Sequence, residues 1–153
     1  MMFNINDLDQ HRSKIKFDVS GDSLVCVIRK KAIKSTSEEL VRQLIIHFLL
    51  EKYNISKNYI AVEKQIELHS TKKRFDILIY DKFTKPLILI ECKKSEHKLS
   101  QQDLDQLSRY NIVMNAPYSI LTNGKQIIIC EYKNKEFSFL NELPEESYWS
   151  AYY

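Results

Sequence analysis

The run Pro86-Leu87-Ile88-Leu89-Ile90-Glu91-Cys92-Lys93 constrains the fold more than any other part of the chain. Its apolar residues do not alternate with polar ones, which is the pattern of a strand buried within a sheet rather than of one with a wet face. Two charged residues then finish the run, and their i, i+2 spacing sends both side chains to the same face. Upstream, Phe75-Asp76-Ile77-Leu78-Ile79-Tyr80 is a second β-rich run, interrupted by one carboxylate. The polar stretch Asp81-Lys82-Phe83-Thr84-Lys85 between them reads as a hairpin loop. If the loop is the four residues Lys82 to Lys85, Tyr80 pairs with Leu87, and counting outwards sets Asp76 opposite Glu91. Opposed side chains have Cβ atoms ~4.5–5.5 Å apart, so two carboxylates would face each other across a gap that one hard divalent cation can bridge. A slip of one residue would send Asp76 to the other face.

The rest of the chain supplies the layers such strands need. Residues 14–18 and 23–29 read as two short strands joined at Ser20-Gly21-Asp22, an entry hairpin followed by a basic connection. Ser35-Thr36-Ser37-Glu38-Glu39 opens a helix to about Tyr53, with Leu40, Val41, Leu44, Ile45, Phe48 and Leu49 on one face. Residues 59–68 alternate as a strand with one wet face, Lys64 being the exception on the apolar side. Ser100 with Asp103 makes a capping box for a helix of roughly 101–114. Tyr118 to Thr122 and Gln126 to Tyr132 then flank the tight-turn pair Asn123-Gly124. In the C-terminal stretch from Asn141, the aromatics Trp149, Tyr152 and Tyr153 are expected to pack on the body of the domain.

At 153 residues the chain fits one domain, and two glycines with three prolines leave little for linkers. We divide it into an N-terminal hairpin extension (1–33), a core (34–132) and a C-terminal strand and tail (133–153). The fold class is α/β in the broad sense (α+β): a central mixed sheet of four to five strands flanked by helices. Cys26, Cys92 and Cys130 are too few and too far apart for a disulfide scaffold or a zinc module. No apolar run approaches the ~18 residues of a membrane span, and the N-terminus lacks a signal-peptide core, so a cytoplasmic location is expected. The net charge of +3 is a weak hint of nucleic acid; the clusters Arg29-Lys30-Lys31, Lys72-Lys73-Arg74 and Lys93-Lys94 say more, though each taken alone reads as a solvated face.

Facing carboxylates beside a lysine suit phosphodiester hydrolysis, in which a metal neutralises phosphate charge and activates water. Lys93 would stand beside the attacking water, whereas Lys94 points the other way. The same three residues also fit an ordinary ion network in which Lys93 neutralises Asp76 and Glu91, and the residues alone leave both readings open. The four histidines show no ligand spacing, and a serine hydrolase built on Ser100 has no positive support. Cys92 projects away from Glu91 and Lys93 into the core.

Asp76, fourteen residues, then Glu91-Cys92-Lys93 resembles the PD-(D/E)xK nuclease superfamily. More narrowly, the chain resembles the N-terminal nuclease domain of type I restriction enzyme R subunits. The resemblance runs through Arg29-Lys30-Lys31, Ser37-Glu38-Glu39-Leu40-Val41-Arg42-Gln43, Arg74-Phe75-Asp76, Glu91-Cys92-Lys93-Lys94, Gln106-Leu107-Ser108-Arg109-Tyr110-Asn111 and Leu121-Thr122-Asn123-Gly124. It implies a restriction-endonuclease-like core in which Asp76 and Glu91 are metal ligands, Lys93 is the catalytic lysine, and the first helix adds an acidic residue. It also implies that Gln106 and Tyr110 match a QxxxY element. Serine at position 37 replaces the proline frequent in the family, which leaves the helix start intact. Between the paired glutamates, a capping box from Thr36 would occupy Glu39, and the helical wheel sets Glu38 nearer the apolar face, so Glu38 is the expected ligand.

The function implied is a Mg²⁺-dependent endodeoxyribonuclease domain of the restriction type, with Mn²⁺ as substitute, and with Lys94, Arg74, Lys73 and Gln102 on the DNA. Two alternatives stand beside it: a nuclease-fold module that holds DNA or a partner without cutting, and a nuclease acting on RNA. Cutting both strands of a duplex would be simplest with two copies, and the resemblance implies further restriction-modification subunits as partners. No Walker A loop is present, so no nucleotide cofactor is expected. The chain is then either cut from an R subunit or acts alone, and the C-terminal segment favours the second.

Overall fold

The computed structural model describes residues 6–145. A four-residue helix α1 (Asn6–Asp9) leads to a two-stranded sheet of β1 (Ser23–Cys26) and β2 (Lys31–Lys34), then to α2 (Ser37–Lys52). There follow β3 (Ile60–Leu68), β4 (Thr71–Tyr80), β5 (Pro86–Cys92), α3 (Gln101–Met114), β6 (Tyr118–Thr122), β7 (Ile127–Lys133) and β8 (Glu136–Leu140). The last six strands form one sheet in sequence order. Every neighbouring pair in it is antiparallel except β5 and β6, which run parallel because α3 carries the chain back across the sheet. The mixed, helix-flanked sheet is the expected class, with six strands where four to five were counted. The sixth is β8, the strand expected in the C-terminal segment, which joins the central sheet by pairing along β7 from Ile129↔Leu140 to Lys133↔Glu136.

Both faces of the sheet are covered, which is why β4 and β5 are apolar at consecutive positions. Val41, Ile45, Phe48 and Leu49 of α2 pack on Ile77, Ile79, Ile88, Ile90 and Ile120. On the opposite face Leu107 of α3 packs with Phe75, Leu78, Leu89 and Leu121. Helix α2 is enclosed from its far side as well, where Leu44 meets Ile15 and Leu24 of the N-terminal segment. Asn123-Gly124 makes the turn between β6 and β7. Gly124 sits at φ +84°, and a Cβ there would lie 3.0 Å from Val41 Cγ2, so the turn and the approach of α2 both require glycine.

Two local expectations are corrected. The entry hairpin is β1 with β2, turned by Arg29 and by Lys30 at φ +55°. Residues 14–18 contribute only the last residue of a 3-10 turn (Arg12–Lys14) and a single bridge from Phe17 to Leu24, because Ile15 is drawn into the core beneath α2. In the β4–β5 hairpin Tyr80 pairs with Pro86 rather than Leu87. The Asp81 carboxylate accepts the N–H groups of Phe83 and Lys85 and draws the loop in, and an irregularity between Ile79 and Tyr80 absorbs the difference. Further in, Ile79↔Ile88, Leu78↔Leu89 and Ile77↔Ile90 keep the counted register.

All three cysteines are free and buried. No helix among the described residues is long and apolar enough to cross a membrane. Trp149, Tyr152 and Tyr153 lie outside the described residues.

Candidate active site

The β4–β5 ladder ends at Ile77↔Ile90, one step short of Asp76 and Glu91. There the Asp76 side chain replaces the ladder: its Oδ2 accepts the Cys92 backbone N–H at 2.7 Å. On the other side of Asp76, in β3, Glu63 adopts φ +51° in the left-handed region, which is costly for a non-glycine residue in a strand. The β3–β4 hairpin changes faces at this level. Ile60 and Val62 pack with the α2 side, but Ile66 and Leu68 pack with the α3 side. That reversal explains the misfit of Lys64, which is exposed.

Asp76 and Glu91 are brought together where the strands part. Burial and then the adjacent Asp76 carboxylate, with which Glu91 shares a hydrogen bond, push the Glu91 carboxyl up to about 7, against the opposing pull of Lys93. Lys93 Nζ lies 3.4 Å from Glu91 Oε1 and 3.7 Å from Asp103 Oδ1. Burial disfavours its charge, but Glu91 and Asp103 outweigh that and hold the ammonium above its ordinary range. Asp103, third residue of α3, is itself fixed by the backbone and hydroxyl of Ser100 and by His97 Nε2 at 2.8 Å. Burial works against its charge too, yet the His97 and Ser100 hydrogen bonds bring the Asp103 carboxyl down to about 2.

Helix α2 enters from the other side by its first turn. Glu38 faces the cluster, and burial followed by the repulsion of Asp76 raises its pKa, with Arg42 and Lys93 opposing. The reason given for preferring Glu38 is corrected, because Glu38 is the exposed one of the pair and Glu39 is buried. Thr36 does accept the Glu39 N–H, but the Glu39 carboxylate bonds Arg42, Arg29 and Gln43 and does not reach back to form a capping box. A helix covered on two sides has no single apolar face from which to choose between neighbours.

Sequence reasoning missed the residues behind Asp76. Arg42, 2% exposed, donates from Nη2 to Asp76 Oδ1 at 2.8 Å, and the same nitrogen lies 3.5 Å from Glu38. Its Nη1 bonds Glu39 and lies 3.5 Å from Glu63. Arg29 closes the ring, bonding Glu39 at 3.0 Å and Glu63 at 2.9 Å. The signals were Arg42, a charged residue amid the apolar positions of α2 that entered only as part of the family motif, and the break of alternation in β3, read as a local exception at Lys64.

Gln106 and Tyr110 lie together on α3, Nε2 to hydroxyl 2.9 Å. Lys73 Nζ stands 4.8 Å from the Tyr110 ring centre, and the lysine, then Gln106, lowers the pKa of the phenol. Arg74 is exposed at 3.9 Å from Glu63. Lys94 and Gln102 are exposed, and no hydrogen bond or ion pair among the described residues joins them to Asp76 or Glu91.

No three His, Cys, Asp or Glu side chains among the described residues converge as a ready metal cage. Mg²⁺ does not require one, since it is held through one or two carboxylates and keeps several waters. The donor set fits it. Asp76 and Glu91 are hard oxygen donors brought together half-buried, and burial, then the Asp76 carboxylate, raises the Glu91 carboxyl against the pull of Lys93.

A family model described as type I restriction enzyme R protein N terminus (HSDR_N) matches residues 37–144. No curated protein matches the chain. Among solved structures, a fragment described as an HsdR subunit of a type I restriction enzyme from Vibrio vulnificus YJ016 is similar in fold, with a TM-score of 0.55 at 18% identity. The match covers 74% of this chain and 24% of that one, so the chain spans about a quarter of that fragment's length.

Proposed function

The chain belongs to the type I restriction enzyme R protein N-terminal family, and on that premise we propose that it is a restriction-type endonuclease domain hydrolysing DNA phosphodiester bonds with Mg²⁺, or Mn²⁺ in its place. The observation that carries the reading is the meeting of Asp76 and Glu91 where β4 and β5 part, with Lys93 Nζ 3.4 Å from Glu91.

Asp76 and Glu91, with Glu38 from α2, would hold the cation, which when bound supplies charge neutralisation at the phosphate and acidifies a coordinated water. Lys93 is kept charged by Glu91 and Asp103, so it orients the attacking water and stabilises the anionic transition state rather than serving as a neutral base. Gln106 and Tyr110 present an amide and a phenol on the α3 side, and Lys73, Arg74, Lys94 and Gln102 supply contacts to the backbone of the duplex. DNA is the macromolecular partner, and the other subunits of a restriction-modification enzyme follow from the family. Two copies would serve the two strands.

Plasmid DNA incubated with pure protein and Mg²⁺ should be nicked or linearised, and Lys93→Ala should lower the rate by ~10²-fold or more. Equal cleavage by both proteins would remove Lys93 from the mechanism. A DNA-holding module without cleavage is a second reading, favoured by one observation: both Asp76 oxygens already accept hydrogen bonds, from Arg42 and from Cys92 N–H. Plasmid retained but left intact by the wild type under both Mg²⁺ and Mn²⁺ would establish it.

A further inference from the structure

The Arg42 side chain is buried, cationic and aimed at the one carboxylate that a divalent cation would most need. Its Nη2 donates to Asp76 Oδ1 at 2.8 Å and lies 3.5 Å from Glu38, so a single nitrogen addresses two of the three carboxylates proposed to bind metal. The guanidinium cannot drift away to make room. Glu39 and Glu63 hold Nη1 from either side, and Arg29 bonds both of those carboxylates in turn. Two arginines and two glutamates thus form an electrically balanced ring, which leaves the outer edge of Arg42 as a fixed positive charge against Asp76. Arginine suits this task, since it stays protonated when buried and its planar fork is pre-organised for two partners at once.

We propose that Arg42 is a standing counter-charge at Asp76, a positioning residue that fixes this carboxylate in the metal-free protein and lowers the site's affinity for a divalent cation. The inference rests on the reading of Asp76 and Glu91 as metal ligands. Each oxygen of Asp76 keeps a lone pair free beside the hydrogen bond it accepts, so a cation can still bind, but it does so within reach of a like charge. The free domain therefore loads metal weakly. A DNA phosphate brings the extra negative oxygens that offset Arg42, so metal and DNA bind with mutual reinforcement, and the cleft is least occupied when no substrate is present.

Mn²⁺ binding to the purified chain, followed by electron paramagnetic resonance of the free ion, tests this without any need for cleavage. Arg42→Gln should bind Mn²⁺ about tenfold more tightly than the wild type, because a positive charge has been removed from beside a ligand. Arg29→Gln removes the same charge one step further from Asp76 and should shift the affinity by no more than about twofold. A merely structural Arg42 would give the opposite sign, since a loosened Asp76 binds more weakly. Affinity in Arg42→Gln that is weaker or unchanged overturns the proposal, as does equal tightening in Arg29→Gln. If Arg42→Gln does not fold, Glu63→Gln decides. It removes one anion from the ring, leaves Arg42 less balanced, and should weaken Mn²⁺ binding about threefold; unchanged or tighter binding overturns the proposal. Absence of Mn²⁺ binding that Asp76→Asn can abolish, in the wild type and every variant, would instead defeat the metal-ligand reading on which the inference stands.

Discussion

Glu91 carries a cost that its proposed role as a metal ligand would account for. Its carboxyl is raised from the ordinary 4.5 to about 7 by burial and by Asp76. A carboxyl whose pKa is higher in the folded than in the unfolded chain binds its proton more tightly when folded, so the fold loses stability as pH rises from about 4.5 to about 7 and keeps the full penalty above that. Glu91→Gln imitates the protonated form and removes the penalty. In metal-free buffer at pH 8 the variant should be more stable than the wild type by about 3 kcal/mol, or about 6–12 °C in Tm, and by much less at pH 5. Thermal melts at the two pH values check this, and a variant less stable at pH 8 would show that Glu91 is structural. Mg²⁺ should raise the melting temperature of the wild type but not of Glu91→Gln.

At the scale of elements, the legible parts were those whose cause is local. The capping box of Ser100 and Asp103 sets the start of α3 as the sequence suggested, with the reciprocal bonds both present. Asn123-Gly124 fixed the β6–β7 turn, and consecutive apolar residues marked β4 and β5 as doubly covered. What could not be read depends on pairing across the chain. The burial of Glu39 and Arg42 follows from a second cover over α2 that periodicity cannot display, and the kink at Glu63 follows from a hairpin that changes faces. The slip at Tyr80 follows from Asp81 gathering its own loop. Helix α3 also has a second task that its cap conceals, because Asp103 tethers Lys93. Ser100→Ala should cost about 1 kcal/mol through the cap and leave cleavage per folded molecule nearly unchanged. Asp103→Asn should cost about 1–2 kcal/mol and in addition slow cleavage roughly tenfold well below its melting temperature, because Lys93 loses a partner that keeps it charged and aimed. Denaturation curves beside cleavage rates separate the two effects, and an equal loss of rate in both variants would assign everything to the cap.

For the whole molecule, the balance of charge sets how DNA would be held on the proposed function. With 23 basic against 20 acidic side chains, the chain has no general excess with which to coat a duplex. Two of the 23 basic side chains, Arg29 and Arg42, are also spent inward. The cations assigned to the DNA are Lys73 beside Tyr110 and the exposed Arg74 and Lys94, with Lys93 within the site. Each phosphate neutralised contributes ~0.9 to the slope of log affinity against log salt, so about three to four contacts predict a slope near −3. Binding to a short duplex, read by fluorescence anisotropy without divalent metal, should therefore weaken about 60-fold between roughly 50 and 200 mM salt. Replacing Lys73, Arg74 and Lys94 together by alanine should bring the slope to about −1 while the fold is retained, since the cost of exposed charges is small. A slope unchanged in the triple variant would place the DNA on another face. A duplex held by so few contacts would stay only briefly, so within a longer protein of this family the neighbouring parts would have to supply residence time for the cut proposed for this domain. A fusion that lengthens residence should then raise cleavage by the wild type and leave Lys93→Ala silent.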